Sequence, residues 1–116
     1  MNLHHGTLTV NGSYDNDNAL LDISGSNAAE IPVIALDGGT STIPNVYVGN
    51  GHNGVLNVVG GATLSTSTLT VGLNSGGNGT VSISGANSKI QLTGGGKSYI
   101  GGGGGLSTTP VREQKF

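Results

Sequence analysis

An all-β solenoid, in which the chain winds through stacked coils of about two dozen residues, is the fold class this sequence predicts. Three observations predict it. The first is a repeat: the pattern G-x-Φ-x-Φ-x-G, with Φ aliphatic, occurs at Gly6–Gly12, Gly54–Gly60 and Gly79–Gly85, and Ala19–Gly25 keeps Leu21, Ile23 and Gly25 without the leading glycine. The last two intact copies are 25 residues apart at every position of the pattern. The second is period-two alternation of aliphatic and small polar residues, with no stretch at helical spacing for even two turns. The third is composition: 23 glycines and 12 each of serine, threonine and asparagine supply turns and small outward side chains. Leucine, isoleucine, valine and phenylalanine total 29 of 116 residues, enough for an ordered core. Collagen is excluded, because glycine follows no every-third spacing and there are only three prolines.

Each expected strand is a short alternating run that stops at a turn residue. In chain order these are Thr7–Val10, Leu20–Ser24, Val33–Leu36, Val46–Val48, Val55–Val59, Thr68–Val71, Thr80–Ser84, Lys89–Leu92 and Ser98–Ile100. Val46-Tyr47-Val48-Gly49, Leu69-Thr70-Val71-Gly72 and Ser98-Tyr99-Ile100-Gly101 form a second repeated element, interleaved with the first. Gly39–Pro44 interrupts the pattern. Residues 1–45 are therefore expected to form irregular early coils and 46–105 regular ones, with 106–116 a frayed tail or part of a neighbouring unit. That tail holds Arg112, Glu113 and Lys115 after a run of five glycines.

Two all-β solutions compete, a solenoid of about four to five coils and an antiparallel β-sandwich. A single coil buries about six aliphatic side chains at roughly 1.5–3 kcal/mol each, against about 1.5 kcal/mol for each of some 24 ordered residues. It cannot stand alone, and stacking uses each buried face twice. The period favours the solenoid. A sandwich also needs bulk to fill a gap of about 10 Å, and the chain has one phenylalanine, three tyrosines and no tryptophan.

The phrases VYVGNGHNGVLNVVGGATL and LTVGLNSGGNGTVSISGANSKI, within Val46–Gly105, resemble the glycine-rich repeats of autotransporter (type V secretion) passenger domains. Similar repeats occur in exopolysaccharide-associated surface proteins. The resemblance implies a right-handed parallel β-helix, secreted across the outer membrane and displayed at a bacterial cell surface as a stalk, adhesin or virulence factor. It transfers no catalytic residues. The aromatic-girdled strands of a membrane translocator are not in this sequence.

Charge and cysteine content narrow the chemistry. Four Lys and Arg against six Asp and Glu leave a formal charge of −2, with no basic stripe for a phosphate backbone, so no nucleic-acid partner is expected. The longest apolar run, Ile31–Leu36, is far too short to cross a bilayer, so this segment is expected not to insert in a membrane. Met1–Val10 lacks the basic-then-apolar order of an export signal, which is expected outside this segment. The absence of cysteine removes disulfides, thiolate metal sites and cysteine nucleophiles.

Several motifs have a chemical and a structural meaning. Gly49–Gly54 satisfies GxGxxG, but a strand follows where a nucleotide fingerprint needs a helix, so a β-turn is expected. Gly94–Ser98 mimics the end of a phosphate loop without its first glycine or its helix. Gly76–Gly79 resembles the opening of a calcium-binding nonapeptide repeat, but Thr80 and Val81 stand where a carboxylate belongs. Asp15, Asp17 and Asp22 are the one acidic cluster, and whether they hold calcium is left open. His4 and His5 are adjacent, point to opposite faces of a strand and are expected in solvent. His52 sits in a glycine turn. Thr66, Thr68 and Thr70 alternate, and a rank of them on one outer face would suit an ice-binding solenoid. Tyr47 and Tyr99 occupy equivalent places before a strand-ending glycine and would either stack on a glycan or ladder along one face.

The function these features favour is a structural or adhesive stalk, extracellular or at the cell surface, with no catalysis, metal or cofactor. A host or biofilm glycan or protein is the expected external partner, and self-association through open solenoid ends the expected internal one. The competing classes are a glycan-binding or carbohydrate-active β-helix and, less favoured, an ice-binding solenoid. A polysaccharide lyase would need clustered Asp, Arg or Lys, and the chain has only ten charged residues of any kind, three of them in the tail.

Overall fold

A computed structural model describes residues 2–15, 19–74, 76–93, 99–100 and 113–114. Alternation becomes thirteen strands: β1 (Asn2–Leu3), β2 (Thr7–Asn11), β3 (Leu21–Ile23), β4 (Val33–Asp37), β5 (Thr40–Thr42), β6 (Asn45–Asn50), β7 (Asn53–Val59), β8 (Thr63–Thr66), β9 (Thr68–Leu73), β10 (Asn78–Ile83), β11 (Lys89–Leu92), β12 (Tyr99–Ile100) and β13 (Glu113–Gln114). All pair in parallel, in three sheets. Sheet A runs β1-β3-β6-β9-β12, sheet B β10-β7-β4-β2 and sheet C β13-β11-β8-β5. Each coil visits A, then B, then C, and the chain is a right-handed parallel β-helix. Three coils are complete among the described residues, β3–β5, β6–β8 and β9–β11, with partial coils before and after them.

Register explains the repeat. Gly54, Leu56 and Val58 lie directly over Gly79, Val81 and Ile83, and Ile34 and Leu36 lie over Leu56 and Val58 from the other side. The inward positions make continuous aliphatic stacks: Leu21-Val46-Leu69 and Ile23-Val48-Val71 on sheet A, Ile34-Leu56-Val81 and Leu36-Val58-Ile83 on sheet B. Nearly every member is excluded from solvent. At about 1.5–3 kcal/mol for each buried Val, Leu or Ile, the stacks are the main force holding coil on coil.

The glycines of the repeat have different physical causes. Gly54 and Gly79, the second residues of β7 and β10, lie against the backbone of sheet A strands. A Cβ on Gly54 would lie 1.9 Å from the Ile23 carbonyl oxygen, and one on Gly79 2.2 Å from that of Val48. Gly49 and Gly72, near the ends of β6 and β9, have φ of +80° and +76°, which a residue with a Cβ adopts only at a cost, and at Gly49 a Cβ would also lie 2.5 Å from the Asn78 carbonyl oxygen.

Two expectations need correction here. Gly39–Pro44 is no interruption: it contains β5, the sheet C side of its coil, followed by fully buried Ile43. Strands β5 and β8 escape the alternation rule because Thr40-Ser41-Thr42 and Thr63-Leu64-Ser65-Thr66 hold one aliphatic between them. Their side of the coil is built from small polar residues, with Ser41, Leu64 and Ile90 in one inward column. The second correction concerns the threonine rank. Thr66 points inward on sheet C and is buried, its hydroxyl bonded to the carbonyls of Pro44 (3.2 Å) and Thr68 (3.0 Å). Thr68 and Thr70 belong to sheet A, across a one-residue corner at Ser67, and Thr70 is 5% exposed. No outward rank of the three exists. Of the expected tail, only Glu113–Gln114 is described, paired in parallel with β11.

Candidate functional site

The corner between sheets A and B carries the densest polar network. It grows from Ser24, just past β3. The Ser24 hydroxyl donates to Asp22 Oδ1 at 2.5 Å and accepts the backbone N–H of Asn50 at 2.7 Å. Asn50 Nδ2 reaches Asp22 Oδ2 at 3.5 Å, and Asn74 Nδ2 donates to Asn50 Oδ1 at 2.6 Å. Asp22, Asn50 and Asn74 belong to three successive coils, so the network is a ladder along the axis. A parallel rung joins Thr68 Oγ1 to Asn45 Oδ1 at 2.5 Å. Such bonds fix which residue sits over which, a role the non-directional aliphatic stacks fill less well.

His4 meets this corner from the first coil. Its Nδ1 donates to the Ser24 carbonyl at 2.9 Å, so a serine, a histidine and an aspartate come together that their sequence spacing does not announce. They do not form a nucleophilic triad. In such a triad the histidine takes the serine hydroxyl proton and the carboxylate orients the histidine. Here the hydroxyl donates straight to the carboxylate, the imidazole binds a backbone oxygen, and Ser24 is 4% exposed. His5, expected in open solvent, is exposed but lies 3.5 Å from Glu30 Oε2.

The remaining sequence candidates disperse. Asp22 lies on sheet A and Asp15 pairs with Thr42 on the sheet C side, while Asp17 lies outside the described residues. Among the described residues no three His, Asp or Glu side chains group to hold a metal ion. The GxGxxG segment is the corner between β6 and β7, a strand-to-strand turn. His52 is half-buried there, and its carbonyl accepts Asn78 N–H at 3.1 Å. Gly76–Gly79 forms the equivalent corner one coil on, and Gly94–Ser98 lies outside the described residues. Tyr14, packed against the core, has its phenol pKa raised, first by burial and second by the charge of Asp15.

Tyr47 and Tyr99 share one column of sheet A, Asp22-Tyr47-Thr70-Tyr99. Thr70 separates the tyrosines, so they are two strand spacings apart, about 9.6 Å. Tyr47 therefore has Thr70, and not a tyrosine, as its next neighbour in the column. Tyr47 itself is half-buried between Asp22 and Thr70. No family model, no curated protein and no solved structure matches the chain.

Proposed function

We propose that this chain is a structural and adhesive module, a stretch of stalk from a secreted bacterial surface protein of the autotransporter passenger type. One observation carries the proposal. The coils are stacked in register over a continuous aliphatic interior, and the polar side chains at their corners are spent on joining coil to coil. A solenoid of this kind resists extension along its axis through parallel hydrogen bonds and presents long, flat outer faces. Charge is sparse, and the outward positions of sheet B form one column of Thr7, Val33, Val55 and Thr80 and one of Thr9, Ala35, Asn57 and Ser82, a mix of β-branched and small side chains that suits a spacer or a contact surface. Fractionation of the source bacterium with an antibody to this chain tests the assignment. Recovery in the protease-accessible surface fraction supports it, and recovery in the cytosol alone rejects it.

Glycan binding is the second reading, favoured by the shared column of Tyr47 and Tyr99 on sheet A. Binding to an extended polysaccharide that is lost in Tyr47→Ala, with the fold intact by circular dichroism, would establish it. Release of unsaturated ends from an acidic polysaccharide would instead identify an enzyme.

A further inference from the structure

Strands β2, β4, β7 and β10 lay a regular grid on the outside of sheet B. Their inward residues fill the core, and the residues between face outward in two central columns, Thr7-Val33-Val55-Thr80 and Thr9-Ala35-Asn57-Ser82. The first column is a rank of four β-branched side chains of one outline, since threonine differs from valine only by a hydroxyl in place of a methyl. Branching at Cβ also leaves each of them few rotamers. The outward rank that Thr66, Thr68 and Thr70 do not make is thus made here, spread over four strands. Parallel pairing in register spaces the members of a column about 4.8 Å apart, and the two columns lie about 6.6 Å apart.

Chemistry sets this face apart from the other two. Its eight side chains carry no charge, whereas the outward columns of sheet A include Asp22 and those of sheet C include Lys89. Asp37 stands outside the grid, in a marginal column with Asn11 and Val59. The hydroxyl and amide groups of Thr7, Thr9, Asn57, Thr80 and Ser82 hydrogen-bond to no other described residue. At the corner between sheets A and B, by contrast, the polar side chains bond coil to coil. The grid also lies on the flank of the solenoid, so it does not depend on what adjoins either end.

Size and composition narrow the occupant. Eight side chains on this grid cover roughly 250 Å², far below the roughly 800 Å² per partner of a stable protein interface. No charge is present to hold an ion or a charged polymer, and no aromatic ring to stack on a sugar. A small, rigid, uncharged grid matches another lattice, and hydroxyl and amide groups without protein partners bind water. The two spacings are close to the repeats of the prism face of hexagonal ice. We propose that the outer face of sheet B binds ice. Its hydroxyl and amide groups hydrogen-bond to the water of the crystal surface, and the methyl groups of valine, alanine and threonine fit between those waters. Because the β-branched side chains are stiff, little rotamer freedom is lost on contact. The inference goes beyond the stalk function and does not depend on it.

Adsorption of the dye-labelled whole chain to a slowly growing ice hemisphere tests this. The readout is the ratio of its concentration in the ice to that in the remaining liquid, with serum albumin as the reference. Wild type is expected to enrich in the ice and to shape growing crystals into facets. Val55→Lys puts a hydrated charge in the middle of the first column and should lower the ratio about tenfold. Val55→Thr keeps the outline and should leave the ratio unchanged. Ser65→Lys makes the same kind of change on the outer face of sheet C and should also leave it unchanged. Circular dichroism and Tm should match wild type in all three. A wild-type ratio no higher than that of albumin overturns the proposal and leaves the stalk function standing. A ratio indifferent to Val55→Lys overturns it as well, as does one that Ser65→Lys lowers equally. Should Val55→Lys fail to fold, Asn57→Lys, in the middle of the second column, decides by the same readout.

Discussion

Replacing Gly79 by alanine places one methyl group where β10 crosses closest to β6. Its Cβ would sit 2.2 Å from the Val48 carbonyl oxygen, 2.6 Å from Val71 Cγ1 and 3.0 Å from Gly72 N. The Val71 methyl can rotate away, but the carbonyl is backbone. Restoring ordinary contact requires β6 and β10 to part by about 1 Å, in an interior packed as densely as a crystal. Overpacking costs about 1–3 kcal/mol where side chains can adjust, so the upper end applies. At about 0.05–0.15 kcal/mol per residue, a coil of some 24 residues contributes about 1–4 kcal/mol to total stability, and the insertion cancels most of that. Urea unfolding followed by circular dichroism should show a loss of about 3 kcal/mol, or an early step in which the coil containing β10 detaches. Gly51→Ala is the control: it sits at the equivalent corner one coil earlier, at φ +79°, with no atom within 4 Å of its Cβ. Only left-handed backbone strain of about 1–2 kcal/mol should appear there. A Gly79→Ala protein within about 0.5 kcal/mol of wild type would refute the close approach of sheets A and B, and with it the coil geometry.

The stacked interior predicts that Leu56→Ala, fully buried between Ile34 and Val81, loses about 2–5 kcal/mol in the same assay. Val55→Ala, facing outward one residue earlier, should lose well under half of that; equal losses would mean the strand is out of register. Ser24→Ala removes the acceptor of Asn50 N–H and a donor to Asp22 and should cost about 1–3 kcal/mol, with faster amide exchange at Asn50. Unchanged exchange there would show that Ser24 does not hold the corner. The raised phenol pKa of Tyr14 sets a sign for alkaline pH. The folded state keeps the proton longer than the unfolded one, so the contribution is intact below the unfolded value of about 10 and is lost as pH rises above it. Urea midpoints should therefore fall less steeply with alkaline pH in Tyr14→Phe than in wild type, and identical slopes would exclude the coupling.

What could be read from the linear chain was whatever has a period. Gly54, Leu56, Val58 and Gly60 recur 25 residues later, and a stack of identical coils is the one arrangement that rewards such recurrence, so the parallel solenoid and the inward Val, Leu and Ile positions were legible. Polar positions were not. Serine and threonine suit a buried column as well as a solvated one, provided a backbone partner is in reach, and so Ser41 and Thr66 face inward and two strands of sheet C, β5 and β8, stayed hidden while β11 did not. Contacts between non-equivalent residues also required three dimensions. The Asp22–Ser24–Asn50–Asn74 ladder and the approach of His4 to Ser24 depend on how tightly one corner turns in successive coils. Local alternation sets which way a side chain points. Where the corner falls, and therefore what a side chain meets, is decided by packing between coils.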